Sequence, residues 1–316
     1  MMRHNGRRLE LIPFEADTTR SIPLPRDRLI KRINLEFSAD VDVTNGGAAG
    51  AVLEDSTQRI IKQIEVVGDG VTTLFRIDGR GLYYKNKFES FCPPYVLQAT
   101  AVTTAVYPIG VNLDIWFANN IGIKPPDTYL PAPVFNTLEL RITWGNGTDL
   151  FDAAYTGTVQ SISAAFGMRP VIYETTQPTP QFMRFQDFID QEVSATTADF
   201  IMDLPTGQRG YQAVMLRTLD EDLNDDALIN FINLISGEKF NHYQQFPWLQ
   251  MQRQNEKDFH LEAIPSGYVY LYLLEDGRIP SALHTYDVNS CKFRLDVTAG
   301  AGTAYVRAYL DYVSKL

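Results

Sequence analysis

The residues able to do chemistry in this chain are four histidines, two cysteines, one run of carboxylates and one aromatic cluster. His4, His242, His260 and His284 stand in no H-x-x-H or H-E-x-x-H spacing, and Cys92 and Cys291 in no C-x-x-C pair. Zinc therefore has no framework of closely spaced nitrogen and sulfur donors, and the histidines read as structural. Asp220-Glu221-Asp222, with Asn224, Asp225 and Asp226, could offer oxygens to a hard cation, but the spacing is not that of an EF-hand. The run reads as a solvated acidic loop, with a cation there left open. Tyr243, Phe246 and Trp248 could stack a sugar or could be core and loop packing; packing is the preferred reading. There is no G-x-S-x-G elbow, P-loop or G-x-G-x-x-G. Gly68-Asp69-Gly70 and Gly145-Asn146-Gly147 end β-runs with no helix pattern after them, so both are read as turns rather than phosphate cradles. No carboxylate pair is marked for glycoside hydrolysis. No catalytic residue, cofactor site or metal site is expected.

Charge points away from nucleic acid. The net charge is −10 over 316 residues, the wrong sign for neutralising phosphates. Residues 1–32 run the other way, with eight basic residues (Arg3, Arg7, Arg8, Arg20, Arg26, Arg28, Lys31, Arg32) against four acidic ones. That segment is about +4, leaving about −14 for the rest. Residues 1–20 read as a basic arm, either solvated or docked on an anionic surface through Arg3, Arg7 and Arg8. The two cysteines fall in different halves, so no disulfide is expected and a reducing compartment fits. No apolar run reaches the length of a membrane span, and no signal peptide is visible, so synthesis in a cytoplasm is expected.

The elements that must carry these residues are strands. Aromatics make up 12% of the chain, and 21 Gly and 17 Pro punctuate short apolar runs, as in an all-β protein. Ile33, Leu35 and Phe37 alternate with polar neighbours, as do Val111, Leu113, Ile115 and Phe117, and Leu138, Leu140, Ile142 and Trp144. Asp69-Gly70 between two β-branched runs predicts a hairpin. Residues 77–81 (IDGRG) read as another turn, 82–107 as mixed, and proline-rich 118–133 as a long ordered loop.

The pattern then repeats. Phe200–Pro205 mirrors Ser21–Pro25, Val214 and Leu216 mirror the strand at Ile33, and the run 228–235 mirrors 60–67. Val269 and Leu271 mirror Val111 and Leu113, and Phe293 and Leu295 mirror Leu140 and Ile142. The offset drifts from 168 (positions 61 and 229) through 158 (113 and 271) to 153 (140 and 293). Diverged loops in a duplicated domain give such a drift. The expected organisation is an arm over 1–20, one β-domain over 21–174, a connector over 175–190 carrying Pro178 and Pro180, and a second β-domain over 191–316.

Four stretches carry a family likeness: Leu24-Pro25-Arg26 through Leu35, the hairpin from Ile61 to Gly70, the I-D-G…L-Y run from Ile77 to Tyr83, and the L-x-L-x-I-x-W-G strand from Leu138 to Gly145. On these the chain resembles the double jelly-roll major capsid proteins of icosahedral, tailless viruses with an internal membrane, the tectivirus, corticovirus and adenovirus lineage, with a bacteriophage source expected. The likeness covers about residues 20–316. It implies an all-β fold of two tandem eight-stranded jelly-roll sandwiches, and a homotrimer forming a pseudo-hexagonal capsomer. It also implies neighbouring capsomers, penton and minor capsid proteins and the viral membrane as partners, with no sequence-specific nucleic acid and a place in the virion. The loop 118–133 would face outward or lock neighbours, and Arg3, Arg7 and Arg8 would lie at the base, near membrane or adjacent capsomers. Two other readings compete: a two-domain glycan- or receptor-binding virion protein with a site rimmed by Tyr243 and Trp248, and a β-sandwich hydrolase.

Overall fold

The structure is a computed structural model that describes all residues except 1–4, 46–48, 91–93, 121, 123, 163–166, 177, 238–239, 264, 275 and 301. Residue contacts divide the chain into two units. Unit one is Met1–Asn86, Pro93–Ala118 and Tyr129–Pro180; unit two is Lys87–Cys92, Asn119–Thr128 and Gln181–Leu316.

Unit one has eight principal strands among its described residues: β1 (Asn5–Arg8), β2 (Thr19–Pro23), β3 (Leu29–Thr44), β4 (Ile61–Gly68), β5 (Thr72–Ile77), β6 (Ala105–Trp116), β7 (Leu138–Trp144) and β8 (Gly167–Thr175). Helix α1 (Gly79–Glu89) follows β5. Strands β1, β8, β3 and β6 pair antiparallel in that order, and so do β2, β7, β4 and β5. Period-two alternation builds the core: Ile33, Leu35 and Phe37 of β3 and Val111, Leu113 and Ile115 of β6 are buried from one sheet, and Ile64, Val66, Leu140 and Ile142 from the other. The Phe37 and Trp144 rings, one from each sheet, lie 5.4 Å apart between centroids.

Unit two repeats the plan with β9 (Phe182–Val193), β10 (Thr197–Leu204), β11 (Gly210–Asp220), β12 (Ile229–Ser236), β13 (Phe240–Pro247), α2 (Trp248–Asp258), β14 (Tyr268–Tyr272), β15 (Cys291–Val297) and β16 (Ala304–Lys315). The antiparallel orders are β9-β16-β11-β14 and β10-β15-β12-β13. Counted within each unit, both units read 1-8-3-6 and 2-7-4-5, with the helix after the fifth strand. Two four-stranded sheets wrapped in this order are a jelly roll. The fold is therefore a double jelly roll, and the pairs of echoing segments occupy equivalent strands. Val214, Leu216, Val306, Ala308 and Leu310 of one sheet share a core with Met202, Ile232, Leu234, Phe293 and Leu295 of the other.

Several boundaries differ from the sequence reading. The arm over 1–20 is sheet from its first described residue: Asn5–Arg8 pairs with Val171–Glu174, Ile12 is fully buried, and β2 begins at Thr19. A four-residue edge strand carrying two arginines has no apolar alternation to betray it, and charged side chains are what an edge strand tolerates. The connector over 175–190 is mostly strand: β8 ends at Thr175, β9 begins at Phe182, and the units divide after Pro180. The expected turn over 77–81 opens α1, because Asp78 Oδ1 accepts the Gly81 N–H at 2.9 Å as an N-cap. A Cβ on Gly79 would strike the Gln58 carbonyl and Ile61, so the glycine that suggested a turn is there for close packing. In 118–133, two short 3₁₀ turns (Pro125–Thr128 and Ala132–Val134) flank buried Tyr129 and Leu130. Leu130 exchanges both backbone hydrogen bonds with Ile30, at 2.9 and 3.0 Å, so this part of the loop is tied into unit one rather than projecting.

Candidate assembly surface

Arg3 lies outside the described residues. Arg7 and Arg8 are exposed on β1. Arg7 Nη1 reaches Asp27 Oδ1 at 3.4 Å, and Arg28 Nε reaches Asp27 Oδ2 at 3.6 Å. Arg8 makes no ion pair among the described residues. Beneath this surface the Glu174 carboxyl, on β8, is only 3% exposed, and its Oε1 has no hydrogen-bond partner. Burial, then Asp27, raises its pKa above the ordinary value, and Arg7 and Arg28 oppose the rise. A groove of ≈ 390 Å³ runs between Arg7–Glu10 and Ile22–Pro25. The structure thus keeps Arg7 and Arg8 at the surface, on a strand at the edge of a sheet rather than on a free arm.

The other candidates resolve into structure. Glu221 and Asp222, with φ of 48° and 66°, form the two-residue turn that folds Leu223–Asn224 back on β11, where Asp220 pairs with Leu223. Asp226 Oδ1 accepts from Trp248 Nε1 at 3.2 Å, from Gln252 Nε2 at 2.5 Å and from the Gly267 N–H at 2.7 Å. The acidic run is therefore a turn plus a half-buried hydrogen-bond hub, and no group of three metal-binding side chains occurs among the described residues. Ser236 Oγ and His242 Nε2 are hydrogen-bonded at 2.7 Å, and His284 Nε2 lies 3.1 Å from the Pro280 carbonyl, while His4 lies outside the described residues. Cys291 is buried and unbridged, and burial pushes its thiol up to about 11; Cys92 lies outside the described residues. Trp248 is 1% exposed, and the half-buried Tyr243 and Phe246 pack on the core of unit two, so the three rings serve packing and Trp248 has no face open to a sugar.

Two arrangements escaped the sequence reading. First, Asn86 and Asn255 each stand eighth in an eleven-residue helix. Asn86 donates to the Asp114 carbonyl at 2.8 Å and accepts the Asp114 N–H at 2.7 Å. Asn255 does the same to Tyr270, at 2.8 and 2.7 Å. Each helix thus clasps the sixth strand of its unit by the same side chain, supplying one donor and one acceptor that an edge strand leaves open. Around the first clasp, Asn34 Nδ2 donates to Asp114 Oδ1 at 2.9 Å and Arg32 Nη1 to Oδ2 at 3.2 Å. Burial raises the Asp114 pKa against these two partners.

Second, unit two buries a charge cluster. Arg184 of β9 donates through Nε to Asp311 Oδ1 and through Nη2 to Glu89 Oε1, both at 2.9 Å, and the Tyr270 hydroxyl donates to Glu89 Oε1 at 3.0 Å. Burial disfavours the guanidinium charge, but Asp311 and Glu89 outweigh it and hold the pKa above its ordinary value. Burial, then Glu89, pushes the Tyr270 hydroxyl well up. Phe88 stacks on Tyr270 at 5.1 Å, and Phe259 meets both rings edge-on, at 5.6 and 5.2 Å. The cluster is walled by rings and holds elements together. Its members lie 95 and 127 residues from Arg184, too far apart to pair by reading along the chain.

No protein-family model and no curated protein matches the chain. Solved structures do. The chain is similar to the crystal structure of the STIV MCP, with TM-score 0.78, 13% identity, and 98% of this chain and 97% of that chain covered. It is similar to the major capsid protein P2 of bacteriophage PM2, with TM-score 0.67, 11% identity, and 99% and 98% covered. It is also similar to PBCV-1 VP54, with TM-score 0.63, 11% identity, and 99% and 94% covered. The fold of this chain is the fold of these proteins, end to end.

Proposed function

We propose that the chain is a structural subunit of an icosahedral viral shell, a major capsid protein. The observation that carries this reading is the pair of jelly rolls with identical strand order, matching the STIV MCP at TM-score 0.78 with almost nothing left over in either chain. A solved neighbour such as the PM2 protein is named a major capsid protein of a bacteriophage. Three copies of the present chain would place six jelly rolls around a threefold axis and make a pseudo-hexagonal tile. The partners in this reading are further copies of the tile, penton and minor capsid proteins, and an internal membrane, and the chain catalyses no reaction. Arg7 and Arg8, exposed on an edge strand, are proposed to meet an adjacent capsomer or the anionic membrane surface. The site of residence would be the virion shell, after synthesis in the host cytoplasm.

Light scattering on the purified protein tests the reading. A mass of about 107 kDa, three times the 35.7 kDa chain, is expected. A monomer that persists at millimolar concentration would overturn it.

A further inference from the structure

One cavity of unit two has the makings of a ligand site. It holds ≈ 380 Å³, the low end of the range of about 300–1,000 Å³ for small-ligand pockets, which suits a single ring better than a peptide or an oligomer. Its floor is Gly210, the first residue of β11, which pairs with His284 on one side and Val313 on the other. The absence of a side chain there keeps the pocket open, since a Cβ would come within 2.9 Å of His284 Nδ1.

The lining divides into two halves. One is aromatic: Tyr286, 57% exposed, packs against the His284 ring at 4.8 Å, and Phe182 stands at the start of β9. The other is cationic: the Arg209 guanidinium is held over the Tyr312 ring at 4.7 Å, and Lys315 closes the rim. No carboxylate lines the pocket, and among the described residues neither Arg209 nor Lys315 forms an ion pair. Two uncompensated cations at one spot in a chain of net charge −10 call for an anion. A guanidinium already fixed on a ring presents its fork to the two oxygens of a carboxylate with little ordering cost. No helix N-terminus, the usual phosphate cradle, contributes to the lining. An open aromatic face beside a charged fork is the arrangement that takes a sugar ring, and Gln208 and Ser314 offer partners for its hydroxyls.

We propose that this pocket binds a single acidic sugar, a uronic or sialic acid, with its carboxylate on Arg209 and Lys315 and its ring against Tyr286. The proposal draws on this pocket alone and not on shell assembly, so its failure would leave the capsid reading standing.

Titration calorimetry on the full chain, in its native assembly, with N-acetylneuraminic acid and glucuronic acid tests it. Glucose, inorganic phosphate and phosphatidylglycerol vesicles serve as the competing probes. Saturable binding of at least one acidic sugar, absent for glucose and weakened about tenfold or more in both Arg209→Gln and the exposed Tyr286→Ala, is expected. Thermal melts of the two variants that match the unmodified protein establish that the loss is local; Lys315→Gln, at the rim, replaces any variant that melts early. Binding of phosphate or vesicles as tight as that of the acidic sugars, or no binding by either sugar, would overturn the proposal.

Discussion

Asparagine carries most of the local logic. Asn86 and Asn255 each satisfy one N–H and one carbonyl of a strand with the two ends of a side-chain amide, a pairing only glutamine could copy with the same group. Replacing Asn255 with alanine leaves two buried backbone groups unpaired and should cost about 1–3 kcal/mol, read as a lowered denaturation midpoint at unchanged slope, and Asn86→Ala, beside a half-buried strand, should cost less. Asparagine to aspartate keeps the acceptor and loses the donor, so it too should destabilise. In the charge cluster, Arg184→Met strands the buried Asp311 carboxylate. A loss of about 3–5 kcal/mol is expected in denaturant titration, and a variant as stable as the parent would refute a structural role for the pair. Glu174 behaves in the opposite sense. Its pKa is raised on folding, so the folded state binds its proton more tightly than the unfolded chain does. Stability from this group is complete below its ordinary value of 4.5 and falls as pH rises through the raised value. Glu174→Gln should flatten that part of the stability–pH curve and raise stability at neutral pH; a parallel curve would show that Glu174 is not its source.

At the scale of elements, β1 is the segment whose role changes most. Its four residues cover the edge of β8, and Ile12 follows into the core. Removing residues 1–13 therefore uncovers a strand edge and empties a buried site, rather than trimming a free tail. The truncated chain should melt lower and self-associate through β8, since unpaired edges template intermolecular pairing. Unchanged melting and clean sedimentation would restore the arm as an appendage. The double substitution Arg7→Glu with Arg8→Glu leaves the backbone pairing alone, so it should leave the melt within about 0.5 kcal/mol of the parent while reducing assembly of tiles or attachment to anionic vesicles.

At the scale of the molecule, the two units share a strand order, a helix placed after the fifth strand and an asparagine clasp at the same helical position. Such agreement in a chain only 13% identical to the STIV MCP shows how few residues a jelly roll constrains. The alternation of apolar and polar residues along the strands and a handful of polar ties suffice. In the proposed shell the trimer is the working unit, and its interface must be large to persist. Variants that break a clasp should therefore lose more in dilute solution than at concentrations where the trimer forms, because assembly stabilises the folded chain by mass action. Concentration-dependent melting of Asn255→Ala checks this.

The sequence by itself determined the class of structure and its duplication. Period-two burial at Ile33–Phe37, Val111–Ile115 and Leu138–Trp144, and again at Cys291–Val297, is local information, because a strand's face is set by its own alternation. The Asp69-Gly70 hairpin was equally local, with φ of 50° and 74° at the two turn residues. What only the tertiary structure decided was non-local. β1 reads as an arm until β8 stands beside it, and Gly79 reads as a turn until Gln58 and Ile61 press against it. Arg184, Glu89 and Asp311 are three unremarkable charges until folding closes separations of about 100 residues. Pairing partners, buried charges and pockets depend on which segments meet, and the alternation that fixes each strand's face says nothing about its neighbour.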